Sequence, residues 1–378
     1  MEAVIVHYGE LALKGGNRDF FERVLIQNIK RVLDRQDYTS VNQLYGRLLV
    51  NLKEGASQKR VRNSLMQVFG IENFSFAYKT KQNIEAIAKD VLPYVKKCKF
   101  ETFAVKTRRG NKNLPFSSVD VNKQVGGFLL KNGIDAKVKL KNPDFTLHVE
   151  LFDNDAFFYF EKIRGLQGMP SGTAGKVVSL LSSGFDSPIA SFKIMRRGAK
   201  CVFAHFHSYP YTNKNSINNV KEIVKILEKY QGDSKVYFIP FADIQKEIMT
   251  KAPEALRVVL YRRYMIRIAE MVAKREKADA LVTGESLAQV ASQTLKNMKV
   301  INEVATLPVL RPLVGMDKKE IISISRELGL EEICSSPYDD CCSLFTPKHP
   351  TVAAKLSDVE KAEVNLKVEW PKLSSVHD

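Results

Sequence analysis

At 378 residues the chain is longer than one hydrophobic core usually serves, so two or three domains are expected, and a 44% hydrophobic, 26% charged composition reads as ordinary globular protein. A formal net charge of +16 points to a polyanionic partner, nucleic acid before an anionic membrane. No apolar run approaches the ~20 residues of a membrane span, so a helical membrane protein is excluded. The basic excess is local: between Val91 and Lys141 stand 12 Lys/Arg against 3 Asp/Glu, a net of +9. The start, Met1-Glu2-Ala3-Val4, has no basic n-region, which argues against a signal peptide. Five cysteines, Cys98, Cys201, Cys334, Cys341 and Cys342, are odd in number and clustered late, which suits a reducing cytoplasm better than a disulfide framework.

Residues 1–60 read as a small α+β unit. Ala3–Tyr8 alternates like a strand, Asn17–Leu33 has helical spacing with Asn17 as its cap, and Leu44–Leu52 reads as a strand interrupted by Gly46. Residues 61–166 form a second unit: a helix at Val61–Phe69, a strand at Asn73–Lys79, a helix at Asn83–Cys98, a strand from Phe103, a helix from Ser117 or Ser118 to Leu130, and strands at Asp144–Phe152 and Ala156–Glu161. The strand from Phe103 carries Lys106, Arg108 and Arg109 to its end, with Lys112 just beyond a Gly-Asn turn, where cations are well placed for phosphates. A Gly/Pro/Ser linker, Arg164–Gly172, precedes residues 173–378. There strands at Val177–Leu181, Lys200–Phe206, Lys235–Phe241, Ala280–Val282 and Pro308–Leu310 alternate with helices near Pro188–Arg197, Ser216–Tyr230, Pro253–Lys274 and Lys318–Leu328. That alternation predicts a doubly wound parallel α/β sheet. Asp317 with Glu320 reads as a capping pair and Gly329 as the C′ glycine of the last helix.

The stretch Lys176–Ala190 organises the third domain. A Val/Leu strand breaks into Ser182-Ser183-Gly184, followed by Phe185, Asp186, Ser187 and a helix. Strand, small-residue turn and helix N-terminus make an anion site, because free backbone N–H groups and the helix dipole face the same point. Neither the Walker A nor the dinucleotide glycine spacing is present. Other marked residues fall at the carboxyl ends of the predicted strands: His205-Phe206, and Thr283-Gly284-Glu285-Ser286-Leu287-Ala288-Gln289-Val290-Ala291-Ser292-Gln293-Thr294, with Gln289 and Gln293 one helical turn apart. Arg262 and Arg263 interrupt an apolar helix. The adjacent Cys341 and Cys342 seldom share one metal or one disulfide, and no metal-ligand spacing is recognised; without a C-x-x-C an iron–sulfur cluster is not expected, although Cys334 with the pair leaves it open.

Ser182–Ser187 resembles the PP-loop, S-G-G-x-D-S, of ATP pyrophosphatases, with Ser183 in place of the first glycine. The segment Val61–Glu161 resembles the THUMP domain, an RNA-binding module of tRNA-modifying enzymes. The run T-G-E-S-L-x-Q-V-A-S-Q-T, together with His205-Phe206-His207-Ser208, Arg262-Arg263-Tyr264-Met265 and Leu310-Arg311-Pro312-Leu313, closely resembles the tRNA 4-thiouridine synthetases, the ThiI proteins, with Ala288 where Gly is usual. The resemblance implies a ferredoxin-like unit, a THUMP domain and a PP-loop domain in that order. It implies contacts to ATP from Leu180, Leu181, Ser182, Ser183, Gly184, Phe185, Asp186, Ser187, His205, Phe206, Arg262, Gly284 and Gln293, with Asp186 organising Mg²⁺ and pyrophosphate. Lys106, Arg108, Arg109 and Lys112 are the implied tRNA contacts. The implied reaction adenylates O4 of a tRNA uridine, after which sulfur displaces AMP. The sulfur-bearing cysteine is expected at Cys342, with Cys341 close behind. The family's rhodanese domain is not found before Asp378, so a cysteine desulfurase is the expected donor to a cytoplasmic enzyme, expected to be a homodimer. The family is also linked to making the thiazole of thiamine. Two rival readings stay open here: a PP-loop enzyme for another tRNA base or a small carboxylate, and a non-catalytic tRNA-binding protein.

Overall fold

Every side chain of Ala-Val-Ile-Val-His is buried in β1 (Ala3–His7), a strand paired antiparallel on both sides. The computed structural model describes all residues except 45, 111–113, 154, 337–346, 348 and 378. β1 leads into α1 (Arg18–Val32), a hairpin of β2 (Tyr38–Leu44) and β3 (Arg47–Leu52), α2 (Gln58–Leu65) and β4 (Asn73–Lys81). Leu44–Leu52 is therefore not one strand but the turn and second arm of a hairpin, reversed where Gly46 sits at φ 79°. Asn17 occupies the N-cap position of α1 without a capping bond from its side chain. The helix expected to open the second domain packs Val61 and Leu65 against Val4, Val6, Leu25 and Ile29, so the first core continues past residue 60 to Ile71 and Phe74.

α3 (Ile84–Val95), β5 (Thr102–Arg109), α4 (Ser118–Lys131), β6 (Lys137–Val138), β7 (Phe145–Leu151), β8 (Asp155–Tyr159) and β9 (Ile163–Arg164) complete this unit. Ser117 is the N-cap of α4, with a reciprocal capping box to Asp120. The strands form a single sheet, ordered β2-β3-β1-β4-β8-β7-β5-β6, with β9 also on β4. A second core lies where Val91 of α3 and Val121 and Val125 of α4 meet Val105, Leu147 and Phe158. Met1–Pro170 is one compact unit and Ser171–Asp378 the other.

The second unit alternates as the apolar runs predict: β10 (Lys176–Leu180), α5 (Asp186–Arg196), β11 (Lys200–His207), α6 (Asn215–Gln231), β12 (Lys235–Pro240), α7 (Ala242–Lys251), α8 (Arg257–Glu276), β13 (Ala280–Val282), α9 (Leu295–Asn302), β14 (Val309–Leu310), α10 (Lys318–Glu327), α11 (Glu331–Ser335), α12 (Leu356–Val364) and β15 (Ser375–His377). The order is β14-β13-β10-β11-β12-β15, parallel except for β15, which runs antiparallel on β12. The chain winds outward from β10 through β11 to β12, then crosses back to β13, so the topological switch point lies at β10 and β13. α8 lies within the core: Val259, Leu260, Tyr261, Ile268 and Val272 are fully or almost fully buried, each apolar side chain of this size contributing about 1.5–3 kcal/mol by leaving water. α10 starts at the expected Asp317–Glu320 capping box, and Gly329, at φ 71°, follows its end.

Candidate functional site

At the switch point, β10 ends and the chain turns through Ser182, Ser183 and Gly184 into α5. Phe185 stands at the N-cap position and offers no capping oxygen, so no side chain covers the positive end of the helix. The loop is closed from within. Ser187 Oγ accepts from Ser182 N–H at 2.8 Å, lies 3.2 Å from Ser182 O and 3.0 Å from Ser182 Oγ, and so fixes the loop's width. It is also closed from outside by Gly284. A Cβ there would lie 2.7 Å from Ser187 N and 2.8 Å from Asp186 C, closer than real contacts allow, so only glycine lets the β13 loop lie against this backbone.

These elements enclose a cavity of about 410 Å³, in the range of small-molecule sites. Leu180, Leu181, Ser182, Gly184, Asp186, Ser187, His205, Phe206, Arg262, Gly284 and Gln293 line it, joined by Glu285, Gln289 and Pro350 among others. Two of the expected contacts do not. Ser183 is fully buried with its hydroxyl unpartnered, and the Phe185 ring centroid lies 5.4 Å from Lys318 Nζ. His205 Nδ1 donates to Leu181 O at 2.9 Å; a carbonyl can only accept, so a neutral ring keeps its proton on Nδ1 and presents Nε2 as an acceptor. Arg262 faces the cavity, whereas its neighbour Arg263 is buried on the far side of α8, paired with Glu363 of α12 and Glu303. Gln289 and Gln293 do line one wall, but on a loop and a 3₁₀ turn (Ala291–Gln293) and not on one face of an α-helix. Gln293 Oε1 is buried there without a partner.

Three features of the site were not legible as such. Asp186 Oδ1 accepts from Lys318 Nζ at 2.6 Å and Oδ2 from Gln289 Nε2 at 3.0 Å, so the loop carboxylate is held by two donors from other elements. Glu285 accepts from Thr283 Oγ1 at 2.9 Å and Arg311 Nε at 2.7 Å, which joins the Leu310–Leu313 segment to the Thr283–Thr294 loop. Asn297, fully buried on α9, donates to Ala291 O and Thr351 O, both at 2.7 Å, and accepts from Ala354 N at 2.8 Å. It thus ties the Gln293 wall to the chain beyond Pro350. A cue for Lys318 was available in its place directly after the Asp317 cap; nothing local marks Asn297.

Cys341 and Cys342 lie outside the described residues, as does Lys112. Cys334 is buried, and desolvation pushes its thiol up to about 11 against a smaller opposing effect of Ser325, so it stays protonated near neutrality. Among the described residues no group of three or more His, Cys, Asp or Glu is placed to hold a metal ion, and no helix is long and apolar enough to cross a membrane.

In the first unit, strand alternation divides the basic residues of β5. Lys106 and Arg108 are exposed on one face, beside His148 and Glu150 of β7 in the strand register. Arg109 points the other way and donates to Phe116 O at 3.1 Å, bracing the following loop. On the first face Glu150 is buried and bonded by His7 at 2.8 Å, Tyr159 OH at 2.8 Å and Arg47. Burial opposes its charge, yet the His7 bond and the Arg47 and Tyr159 contacts outweigh it and keep the carboxyl below the usual range.

Comparison with known proteins gives the same layout. The profile of the family described as Thiamine biosynthesis protein (ThiI) matches residues 172–368, that of the ThiI ferredoxin-like domain residues 3–75, and that of the THUMP domain residues 78–161. A probable tRNA sulfurtransferase of Caldanaerobacter subterraneus subsp. tengcongensis is 42% identical over 96% of this chain and 94% of its own length. One from Moorella thermoacetica is 42% identical over 97% and 93%. The solved structure of a 4-thiouridine synthetase–RNA complex with bound ATP superposes with a TM-score of 0.87 at 34% identity, covering 97% of this chain and 95% of that one. With three profiles in sequence along it and such identity over nearly its whole length, the chain belongs to the ThiI family.

Proposed function

We propose that this chain is an ATP-dependent tRNA sulfurtransferase that makes 4-thiouridine. The observation that carries this reading is the cavity at the switch point, walled by the Ser182–Ser187 loop, His205, Phe206, Arg262, Gly284 and Gln293, in a chain whose solved relative is a 4-thiouridine synthetase with RNA and ATP. The uncapped end of α5 takes the phosphates, with Arg262 as a further cation. Gln293 Oε1 and His205 Nε2 serve as acceptors deeper in the cavity. Uridine O4 attacks the α-phosphorus of ATP, pyrophosphate leaves, and AMP is joined to O4.

Among the described residues Asp186 and Glu285 are the carboxylates lining the cavity, and a Mg²⁺ held by one or two carboxylates and the substrate phosphates fits that donor set. When bound, the ion neutralises phosphate charge. In its absence Lys318 and Gln289 hold Asp186 in place.

For the sulfur step, a cysteine desulfurase loads Cys342 as a persulfide. The terminal sulfur bonds to C4 of the base while the C4–O4 bond breaks and AMP departs. A second thiol, supplied by an external reductant because adjacent cysteines seldom close a disulfide, then attacks the Cys342 sulfur; the S–S bond breaks, thiouridine is released, and a further reductant thiol reduces the resulting mixed disulfide. Buried and protonated Cys334 is the weaker candidate for that second thiol. The enzyme works in the cytoplasm, where its thiols stay reduced.

The test supplies purified protein with unmodified tRNA, ATP and sulfide, and follows pyrophosphate, AMP and 4-thiouridine. Asp186→Ala is expected to lower pyrophosphate release at least 100-fold while tRNA affinity stays within twofold. The Lys318 pair is half-exposed and worth only ~0–1 kcal/mol to stability, so that loss is not one of folding. Thiouridine formed at the wild-type rate by Asp186→Ala refutes the assignment.

A further inference from the structure

Beyond Phe206, β11 leaves the nucleotide cavity and enters a turn built inside out. Its small residues Ser208 and Thr212 are buried, while Tyr209 and Tyr211 are 43% and 48% exposed. Burial preference runs the other way, so a turn that hides its serine and threonine and displays two aromatics calls for a reason. The turn is held firmly. Ser208 Oγ donates to Gln245 Oε1 of α7 at 2.5 Å, and Tyr211 N–H and Thr212 N–H donate to Ser208 O at 2.8 and 3.2 Å.

Each displayed ring has a lysine from a different element. Lys214 Nζ lies 4.9 Å from the Tyr209 ring centroid, and Lys246 Nζ of α7 lies 3.9 Å from that of Tyr211 and bonds its hydroxyl. Among the described residues neither lysine is paired with a carboxylate, so their charge is open to an anion. An exposed cation–π contact contributes only about 0.5–1 kcal/mol, too little to account for two solvent-facing tyrosines on a rigid turn. Phe206 lines the cavity and Tyr209 is three residues on, which places the patch within about 10 Å of chain from the cavity wall.

We propose that Tyr209, Tyr211, Lys214 and Lys246 form an RNA-contact surface at the mouth of the nucleotide cavity. Bases flanking the target nucleotide stack on the two rings, and the lysines meet the adjoining phosphates. This rests on the reading of the substrate as tRNA. A uridine whose O4 enters the cavity must leave its stack, and its neighbours lose a stacking partner that the tyrosines replace. Rings alternating with cations suit exposed nucleotides; a protein partner would ask for a contiguous apolar centre.

The experiment compares Tyr209→Ala/Tyr211→Ala, Tyr209→Phe/Tyr211→Phe and Lys214→Met/Lys246→Met with wild type, measuring tRNA binding, KM for tRNA and KM for ATP, with sulfide as donor. Stacking of one or two bases predicts that the alanine pair weakens tRNA binding about 10- to 100-fold with KM for ATP unchanged, while the phenylalanine pair stays near wild type. The lysine pair is expected to flatten the slope of log affinity against log salt by about 0.7–0.9 for each phosphate no longer neutralised. Affinity and KM for tRNA within twofold in the alanine pair, with an unchanged melting temperature, overturns the surface. Activity kept with sulfide but lost with a cysteine desulfurase overturns it too, and makes the patch a donor-docking face. If wild type binds tRNA and thiolates none, the function reading fails by itself, and the variants' tRNA affinities still decide the surface.

Discussion

Ala288 carries a backbone conformation that alanine tolerates badly. Its φ of 62° lies in the left-handed region, on the loop between Gly284 and Gln293. The conformation costs about 1–2 kcal/mol for a residue with a Cβ, and glycine's extra freedom in the unfolded chain returns about 0.5–1. Ala288→Gly is therefore expected to stabilise the protein by about 0.5–1 kcal/mol, read from urea midpoints, without loss of ATP binding. His148 carries a different cost. It stacks on Tyr159 at 4.9 Å, and desolvation, helped by the Lys162 and Lys106 charges, lowers its pKa from 6.5 to about 4. The unfolded chain takes up a proton between those values that the folded chain refuses. His148's contribution is thus complete above pH 6.5 and is lost as the pH falls towards 4. His148→Phe is expected to lose less stability than wild type between pH 7 and pH 5 in denaturant titrations; an identical loss would place the acid sensitivity elsewhere.

α9 shows how a short element can organise a site that its own sequence does not advertise. Asn297 bonds three backbone groups of two segments, and Thr294 Oγ1 adds a bond to Val352 O at 2.7 Å. Replacing Asn297 with alanine leaves two buried carbonyls and one N–H unmet, an expected loss of about 2–4 kcal/mol. KM for ATP should rise with it, because Ala291–Gln293 and Pro350 are both walls of the cavity. Asn297→Asp keeps the acceptor for Ala354 and loses both donors, so it is expected to fall no closer to wild type than alanine in melting temperature and KM. The PP-loop, the strands around it and the capping box of α10 were legible because each is a local pattern of a few residues. Lys318 and Asp186 are 132 positions apart, and Arg311 and Glu285 are 26 apart, so no window of sequence holds either pair. β2 escaped notice because only Val41 of its seven residues is fully buried, and the resulting pattern lacks an apolar run. Arg109 was grouped with Lys106 and Arg108 by nearness in sequence, whereas the period of two in a strand sends Arg109 to the opposite face.

Across the molecule the +16 charge sets how binding responds to salt. Lys106 and Arg108, exposed on one sheet face, are free to meet phosphates, and Arg109 is occupied. Lys106→Glu/Arg108→Glu is expected to weaken tRNA binding at least tenfold at low salt and to flatten its salt slope by about 1.4–1.8. Arg109→Glu should instead lower the melting temperature, and equal effects of both on affinity would return Arg109 to the RNA face. The second sheet has a different exposure to manage. Its parallel strands end at β12, and β15 lies along that outer rim with Tyr237 opposite Ser375, Val236 opposite Val376 and Lys235 opposite His377. An uncovered rim would offer a row of unmet N–H and C=O groups to any passing strand, the template on which chains add to one another. These three residues therefore occupy part of that rim: removing them is expected to leave the nucleotide cavity intact and to open the Lys235–Tyr237 edge to strand addition.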